Sequence, residues 1–302
     1  MKNIEASVRA RLANMARRKG VTLQRLLTLY MQEGLLHRIT RTAYRDNLVL
    51  KGGLLLYVRY GTEARTTKDI DLHARDIECD TDTIRHLLAS AASITIDDGL
   101  TFDVESVRAN PIRGQEGVVG VRGHVRGHLG TARGDLQVDV GCGDVITRGP
   151  RVIVYPSLLE GDSFRMPIYS VETVIAEKLS ALVSIGVTNS RIRDLYDMYV
   201  ILVKERQDDR FVVDATVNTF RNRRIPTPET PEVLTDGHWS SREFSSYWTA
   251  YLRRLGQSEP TIADLQRELL PVLQDIYDQT RGRLRDCPNH PRIAADENPE
   301  PG

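Results

Sequence analysis

Apolar side chains recur at helical spacing near the N-terminus: Val8, Leu12 and Met15 in one segment, then Leu23, Leu26, Leu27, Tyr30, Leu35 and Leu36 in the next. That period predicts helices over 4–19 and 22–39, with Thr22 as the N-cap of the second. From Leu48 the pattern changes to an apolar run, the glycine pair Gly52-Gly53 and further apolar positions through Tyr60. A polar stretch then leads into Lys68-Asp69-Ile70-Asp71-Leu72-His73. This reads as a strand or turn, a helix, a loop and a strand. Ile84, Leu87, Leu88 and Ala91 predict a helix over 81–93. Alternation and β-branching predict strands over 100–107, 118–125, 135–140 and 152–154, with glycines between them.

Pro156 and Pro167 bracket a predicted linker, after which helical periodicity returns over 171–185 and 191–205. It continues to Arg285, interrupted by a proline-rich turn over 225–231. The expected class is α+β: a mixed sheet flanked by helices over 1–165, then a mainly helical domain over 166–286. Residues 287–302 are rich in Pro, Asn, Asp and Glu with almost nothing to bury, so a disordered tail is expected. The chain shows no internal repeat.

At 302 residues, 40% hydrophobic and 27% charged, the chain has ordinary globular composition, which excludes wholesale disorder and collagen-like or disulfide-scaffold classes. Cys79, Cys142 and Cys287 are odd in number with no C-x-x-C spacing, so neither a disulfide framework nor a zinc site is expected, and a reducing compartment fits best. No segment has the composition of a signal peptide or membrane span, so a cytoplasmic protein without membrane partners is expected.

The formal net charge of +0 argues against a polyanion partner until it is divided along the chain. Residues 1–46 hold ten Lys/Arg against three acids, a balance of +7, and the remainder therefore carries −7. A second basic stretch lies between 108 and 133, where Arg108, Arg113, Arg122, Arg126, Arg133, His124 and His128 face one acid, Glu116. On a strand the even-numbered positions from Arg122 to His128 share a side and form a strip suited to a nucleic-acid backbone. A solvated sheet or helix face reads equally well from both stretches. His73 flanks any metal site at Asp69 and Asp71. Trp239, Tyr247, Trp248 and Tyr251 read as helix-packing core and not as a base-stacking platform.

Two aspartates at i and i+2 on a strand, Asp69 and Asp71, present both carboxylates to one face and can reach hard cations. A glycine pair opening a helix, Gly52-Gly53, exposes backbone N–H groups near the helix's positive end, a natural phosphate site. Together they describe a place for a Mg²⁺-bound triphosphate. Asp139, in the apolar strand Leu136-Gln137-Val138-Asp139-Val140, is the candidate third carboxylate of a two-metal site. The competing reading makes it a structural partner for an arginine. Lys178 lies beside the apolar stripe Val174, Ile175, Leu179 and Leu182, from which its amine can enter a cleft or snorkel to water. Arg191, Arg193, Asp194 and Asp197 sit at i,i+3 and i,i+4 spacing, so an Arg/Asp network competes with a catalytic role.

Lys51-Gly52-Gly53, then Arg65-Thr66-Thr67-Lys68-Asp69-Ile70-Asp71-Leu72, then Glu177-Lys178-Leu179-Ser180-Ala181-Leu182, then Arg193-Asp194-Leu195-Tyr196-Asp197 resemble, in order and spacing, the AbiEii/MenT-like nucleotidyltransferase toxins of the DNA polymerase β-like superfamily. The resemblance runs from about Leu48 to Leu202. It implies a nucleotidyltransferase domain whose cleft is completed by the helical domain. The implied reaction moves a nucleoside monophosphate from an NTP onto RNA, with the tRNA 3′ end as acceptor, using Mg²⁺ or Mn²⁺. It also implies a separately encoded antitoxin. By position, Gly52 and Gly53 would bind the nucleotide phosphates, Asp69 and Asp71 the metal, Lys178 the triphosphate, and Asp194 would be an essential acid; Lys68 at the triphosphate and Asp139 as third metal carboxylate are candidates of the chain's own pattern. Gly53 stands where the wider superfamily commonly has Ser. Transfer onto a protein hydroxyl, and nucleotide binding without transfer, are the alternatives.

Overall fold

The computed structural model describes residues 4–61, 67–113, 119–159, 161, 163–186, 191–204 and 209–286. Arg65, Thr66, Glu116, the side chain of Arg113 and the tail 287–302 lie outside the described residues. The chain divides into two units, Met1–Gly143 with Pro150–Tyr169, and Asp144–Gly149 with Ser170–Gly302.

The first unit holds helices α1 (Ile4–Lys19), α2 (Leu23–Ile39), α3 (Gly52–Tyr60) and α4 (Thr81–Ser93). Its strands are β1 (Leu48–Lys51), β2 (Asp69–Ala74), β3 (Leu100–Arg113), β4 (Val119–Leu129), β5 (Ala132–Gly141), β6 (Arg151–Val154) and β7 (Arg165–Ile168). They form one mixed sheet in the order β3-β4-β5-β2-β1-β7-β6. β2 runs parallel to β5 and β1 parallel to β7, while the other neighbours are antiparallel. The α+β architecture expected from the alternation of periods is therefore present.

The three hairpin strands are longer than the alternation signalled, because β3 extends through Pro111 past an irregularity between Asp103 and Arg108. β7 forms where a linker was expected. Pro167 marks a break when read locally, but the segment lies between β1 and β6, and pairing on both sides holds it extended.

Strand period two decides which side of the sheet becomes core. In β4, Val121, Val125 and Leu129 are buried, and Gly123 and Gly127 leave room for Leu88 of α4 and Met31 of α2. The helices therefore cover that side, and the even-numbered residues of β4 point to the opposite side. α2 is buried around its whole circumference from Leu29 to Ile39, polar residues included. Its Arg38, counted above in a basic surface, is instead 1% exposed and forks onto Asp98 at 2.7 and 3.0 Å. Buried Glu33 accepts from Ser157 Oγ and the Leu158 N–H at 2.7 and 2.8 Å, and burial pushes its carboxyl up. The missing disulfide expectation also needs correction: Cys79 and Cys142 are joined, with Cα atoms 6.4 Å apart. Cys79 follows β2 and Cys142 follows β5, so parallel pairing of the two strands brings their ends together, which spacing alone does not reveal.

The second unit is helical: α5 (Val171–Ile185), α6 (Ile192–Met198) continued as a π-helical turn over Tyr199–Lys204, α7 (Asp209–Arg223), α8 (Asp236–Trp239), α9 (Arg242–Leu255), α10 (Ile262–Asp264) leading into a second π-helical segment, and α11 (Leu270–Arg285). Ser170 caps α5 by accepting from the Thr173 N–H. Trp239 and Trp248 are buried, and their indole N–H groups donate to Val233 O and Pro260 O. They are core, as expected, and Tyr251 is buried with them. Tyr247 departs from that expectation, lying half-buried with its hydroxyl on Glu243.

Candidate active site

β1 ends at Lys51, and the chain turns directly into α3 at Gly52, which sits at φ +66°. Glycine is required there twice. The left-handed conformation disfavours any Cβ, and a Cβ would lie 2.6 Å from Cγ of Asp71. The Asp71 carboxylate therefore lies against the N-terminus of α3, where the helix dipole and unsatisfied N–H groups favour negative charge. Gly53 is buried one residue further along the helix.

β2 alternates half-buried Asp69 and Asp71 with fully buried Ile70 and Leu72, so both carboxylates share the side of the sheet away from α2 and α4. In the register of the sheet Asp71 lies beside Lys51 on one side and Asp139 on the other, and Asp69 lies beside Gln137. Lys51 holds its ammonium 5.1 Å from the centre of the Tyr169 ring. Lys68 is exposed immediately before β2, and its carbonyl accepts from Gln32 Nε2 at 2.9 Å. His73, two residues beyond Asp71, is buried with its ring 5.7 Å from that of Tyr169, flanking the carboxylates.

Asp139 is brought to this place but not left bare. Arg122 of β4 donates from Nε to Oδ1 and from Nη2 to Oδ2, both at 2.8 Å, and Gln137 Nε2 adds 3.1 Å to Oδ2. The hydrogen bond to Asp139 raises the Arg122 guanidinium further above its already high value, with the charges of Asp139, Asp69 and Asp71 adding to it. Among the described residues no group of three or more His, Cys, Asp or Glu side chains is arranged to hold a metal ion. Asp69 and Asp71 still fit a hard divalent cation. Mg²⁺ is commonly held by one or two carboxylates, with substrate phosphates and water in the remaining positions.

The basic strip continues from there. His124 lies beside Gln137 and Arg108, and Arg126 lies beside Asp135, to which its Nε donates at 2.8 Å. Arg122, His124, Arg126 and His128 thus occupy one side of β4, shared with Asp69, Asp71 and Asp139.

In the second unit Lys178 projects from α5 to Asp194 Oδ1 at 2.6 Å and Asp197 Oδ2 at 2.8 Å on α6. Arg191 adds 3.2 Å to Asp194 Oδ2. Burial alone would push the Asp194 carboxyl up, but Lys178 and Arg191 outweigh it and the net displacement is downward. Arg223 of α7, which the sequence reading passed over, is also 10% exposed and contacts Asp144 at 2.8 Å, Glu177 at 3.4 Å and Ser180 Oγ at 3.0 Å. The i,i+3 spacing of Arg191 and Asp194 was readable as a network; the arrival of Lys178 from another helix was not.

No curated protein matches the chain. Among solved structures, JHP933 from Helicobacter pylori aligns at 18% identity and a TM-score of 0.49, covering 87% of this chain and 96% of that one. A candidate nucleotidyltransferase from H. pylori aligns at 15% identity and a TM-score of 0.45, covering 86% and 95%. The family model described as "Nucleotidyl transferase AbiEii toxin, Type IV TA system" matches residues 34–279, which include every element of the site above, and the chain belongs to that family.

Proposed function

We propose that the protein is the toxin of a toxin–antitoxin pair and acts as a divalent-cation-dependent nucleotidyltransferase. It moves a nucleoside monophosphate from an NTP onto the 3′ hydroxyl of RNA, with tRNA as the acceptor and arrested translation as the outcome. The observation that carries this reading is the placement of Asp69 and Asp71 on one side of β2, with Asp71 against the glycine-opened N-terminus of α3. Negative phosphate and a cation-binding carboxylate pair are accommodated within one turn of backbone.

The bound cation supplies charge neutralisation at the triphosphate and activation of the attacking hydroxyl. Asp69 and Asp71 hold it. The N–H groups opening α3 at Gly52 and Gly53 orient the phosphates, assisted by Lys68. Lys178 acts on the triphosphate and Asp194 fixes its ammonium, a role supported by the two short ion pairs that preset its position. An antitoxin protein is the implied partner. Among the described residues no helix is long and apolar enough to cross a membrane.

Purified full-length protein incubated with each α-labelled NTP, Mg²⁺, total tRNA and cell lysate tests this. Label is expected on tRNA. Label on protein alone would move the acceptor class, and nucleotide binding without label would remove the transferase activity. Asp71→Asn should reduce transfer by at least about 10²-fold, the scale of losing a preorganised electrostatic group, with its melting temperature unchanged.

A further inference from the structure

We propose that Arg122 is a phosphodiester-binding residue on the acceptor side of the site, and that Asp139 is its positioning residue and not a cation ligand. The proposal rests on the transferase reading above, but concerns groups that reading leaves without a task.

Three donors converge on the Asp139 carboxylate, two from Arg122 and one from Gln137. A carboxylate has about four lone-pair positions, so these donors leave one, on Oδ1, where a cation would sit against the charge of the Arg122 guanidinium. The Arg122 guanidinium is bound edge-on through Nε and Nη2, a geometry that directs the Nη1 edge away from Asp139. The Arg122 side chain is 40% exposed while that of Asp139 is 19% exposed. The anchor is thus the more buried partner and the cation faces outward.

Order across the sheet supplies the direction. Gly52 opens α3 at the end of β1, Asp71 follows on β2, Asp139 on β5 and Arg122 on β4. With strands about 4.8 Å apart, Arg122 lies two strands beyond the cation-binding carboxylates, on the side opposite the nucleotide's helix. Along β4 on the same side of the sheet come His124 and Arg126, with Arg108 beside His124 on β3. A phosphodiester chain whose 3′ end reaches the carboxylates would cross Arg122 first. A guanidinium offers planar, paired N–H donors matched to phosphate oxygens, and Asp139 fixes its plane before the acceptor arrives.

The test uses the full chain with Asp71→Asn, Asp139→Asn, Arg122→Gln and Arg122→Lys. Mn²⁺ binding is followed by electron paramagnetic resonance, and binding of a single-stranded RNA oligonucleotide is followed across a salt series. Asp71→Asn should weaken Mn²⁺ at least about tenfold, while Asp139→Asn leaves it near wild type. Arg122→Gln should weaken RNA binding and lower the slope of log K against log salt by about one. Arg122→Lys should keep the slope while losing affinity, because it keeps charge without the fork.

Asp139→Asn is the most discriminating variant. Removing a negative charge beside a polyanion strengthens binding on charge grounds alone, so weaker RNA binding at an unchanged slope reports lost positioning. Unaltered RNA affinity and slope in Arg122→Gln, or loss of Mn²⁺ in Asp139→Asn equal to that in Asp71→Asn, would overturn the proposal. Wild-type protein that binds Mn²⁺ and labels protein but ignores the oligonucleotide would overturn it while leaving nucleotidyl transfer itself intact, with its acceptor class moved. Wild-type protein that binds RNA through Arg122 but neither binds Mn²⁺ nor transfers label would do the reverse.

Discussion

Both units gather acids and bases, and the sheet site of the first is more exposed than the cluster of the second. In the first unit Asp69, Asp71 and Arg122 are half-exposed on the side of the sheet away from α2 and α4. In the second, Lys178 is 11% exposed, Asp194 12% and Asp197 1%, and the charges meet one another. Removing a partner from a solvated group mainly changes what it binds. Removing one from a buried cluster leaves an uncompensated charge in a poorly polarisable place. At the carboxylate pair of the first unit activity should therefore be the sensitive readout, while in the second unit stability should fall along with activity.

The largest expected effect breaks the second cluster. Lys178→Met keeps the stem but removes the ammonium that both Asp194 and Asp197 accept from, so unfolding stability should fall by about 3–5 kcal/mol in urea titration. A loss below about 1 kcal/mol would show that the cluster is solvated like the first site.

Gly52→Ala comes next and strikes the first unit. A non-glycine residue at φ +66° costs about 1–2 kcal/mol, and its Cβ would also push the Asp71 carboxylate away. Nucleotide affinity should drop by more than the stability loss explains, measured by NTP titration beside thermal melting. Equal losses in both would make Gly52 a backbone requirement only.

A smaller effect concerns pH. The folded Asp194 carboxyl lies below its unfolded value of 3.8, so the folded protein holds fewer protons there than the unfolded chain. That contribution is present above the unfolded value and is lost as pH falls through the folded one. Stability measured downward from pH 5 should decline less steeply in Asp194→Asn than in the parent, from a lower starting point. Identical slopes would remove Asp194 from the acid response.

The smallest effect is at Arg126, 44% exposed and paired with Asp135 at 72%. Arg126→Ala should change stability by no more than about 1 kcal/mol. It should lower the salt dependence of RNA binding by about one phosphate contact, and an unchanged salt slope would make this pair a solvated surface contact.

Much of the candidate site was readable from local pattern. Period two places Asp69 and Asp71 on one side of a strand regardless of what pairs with it, and Gly52 marks backbone that a Cβ would crowd. The Arg122–Asp139 fork was open as an alternative but not decidable, since it depends on the register of a hairpin whose strands proved longer than their alternation suggested. Strand β7 was hidden by Pro167 because a breaker signal is local, whereas its pairing comes from segments more than a hundred residues earlier and about fifteen earlier. Arg38 was counted as surface charge because a helix period gives no sign that α2 is enclosed all round.

The α+β class, the glycine-opened helix, the carboxylate pair and the family each follow from the order and period of neighbouring residues. That Asp139 carries an arginine, that Lys178 is paired from a second helix, that Arg38 is core and that Cys79 meets Cys142 came from the folded chain alone. Each of those depends on which distant segments become neighbours, and burial gives such pairings energies that residue type alone does not set.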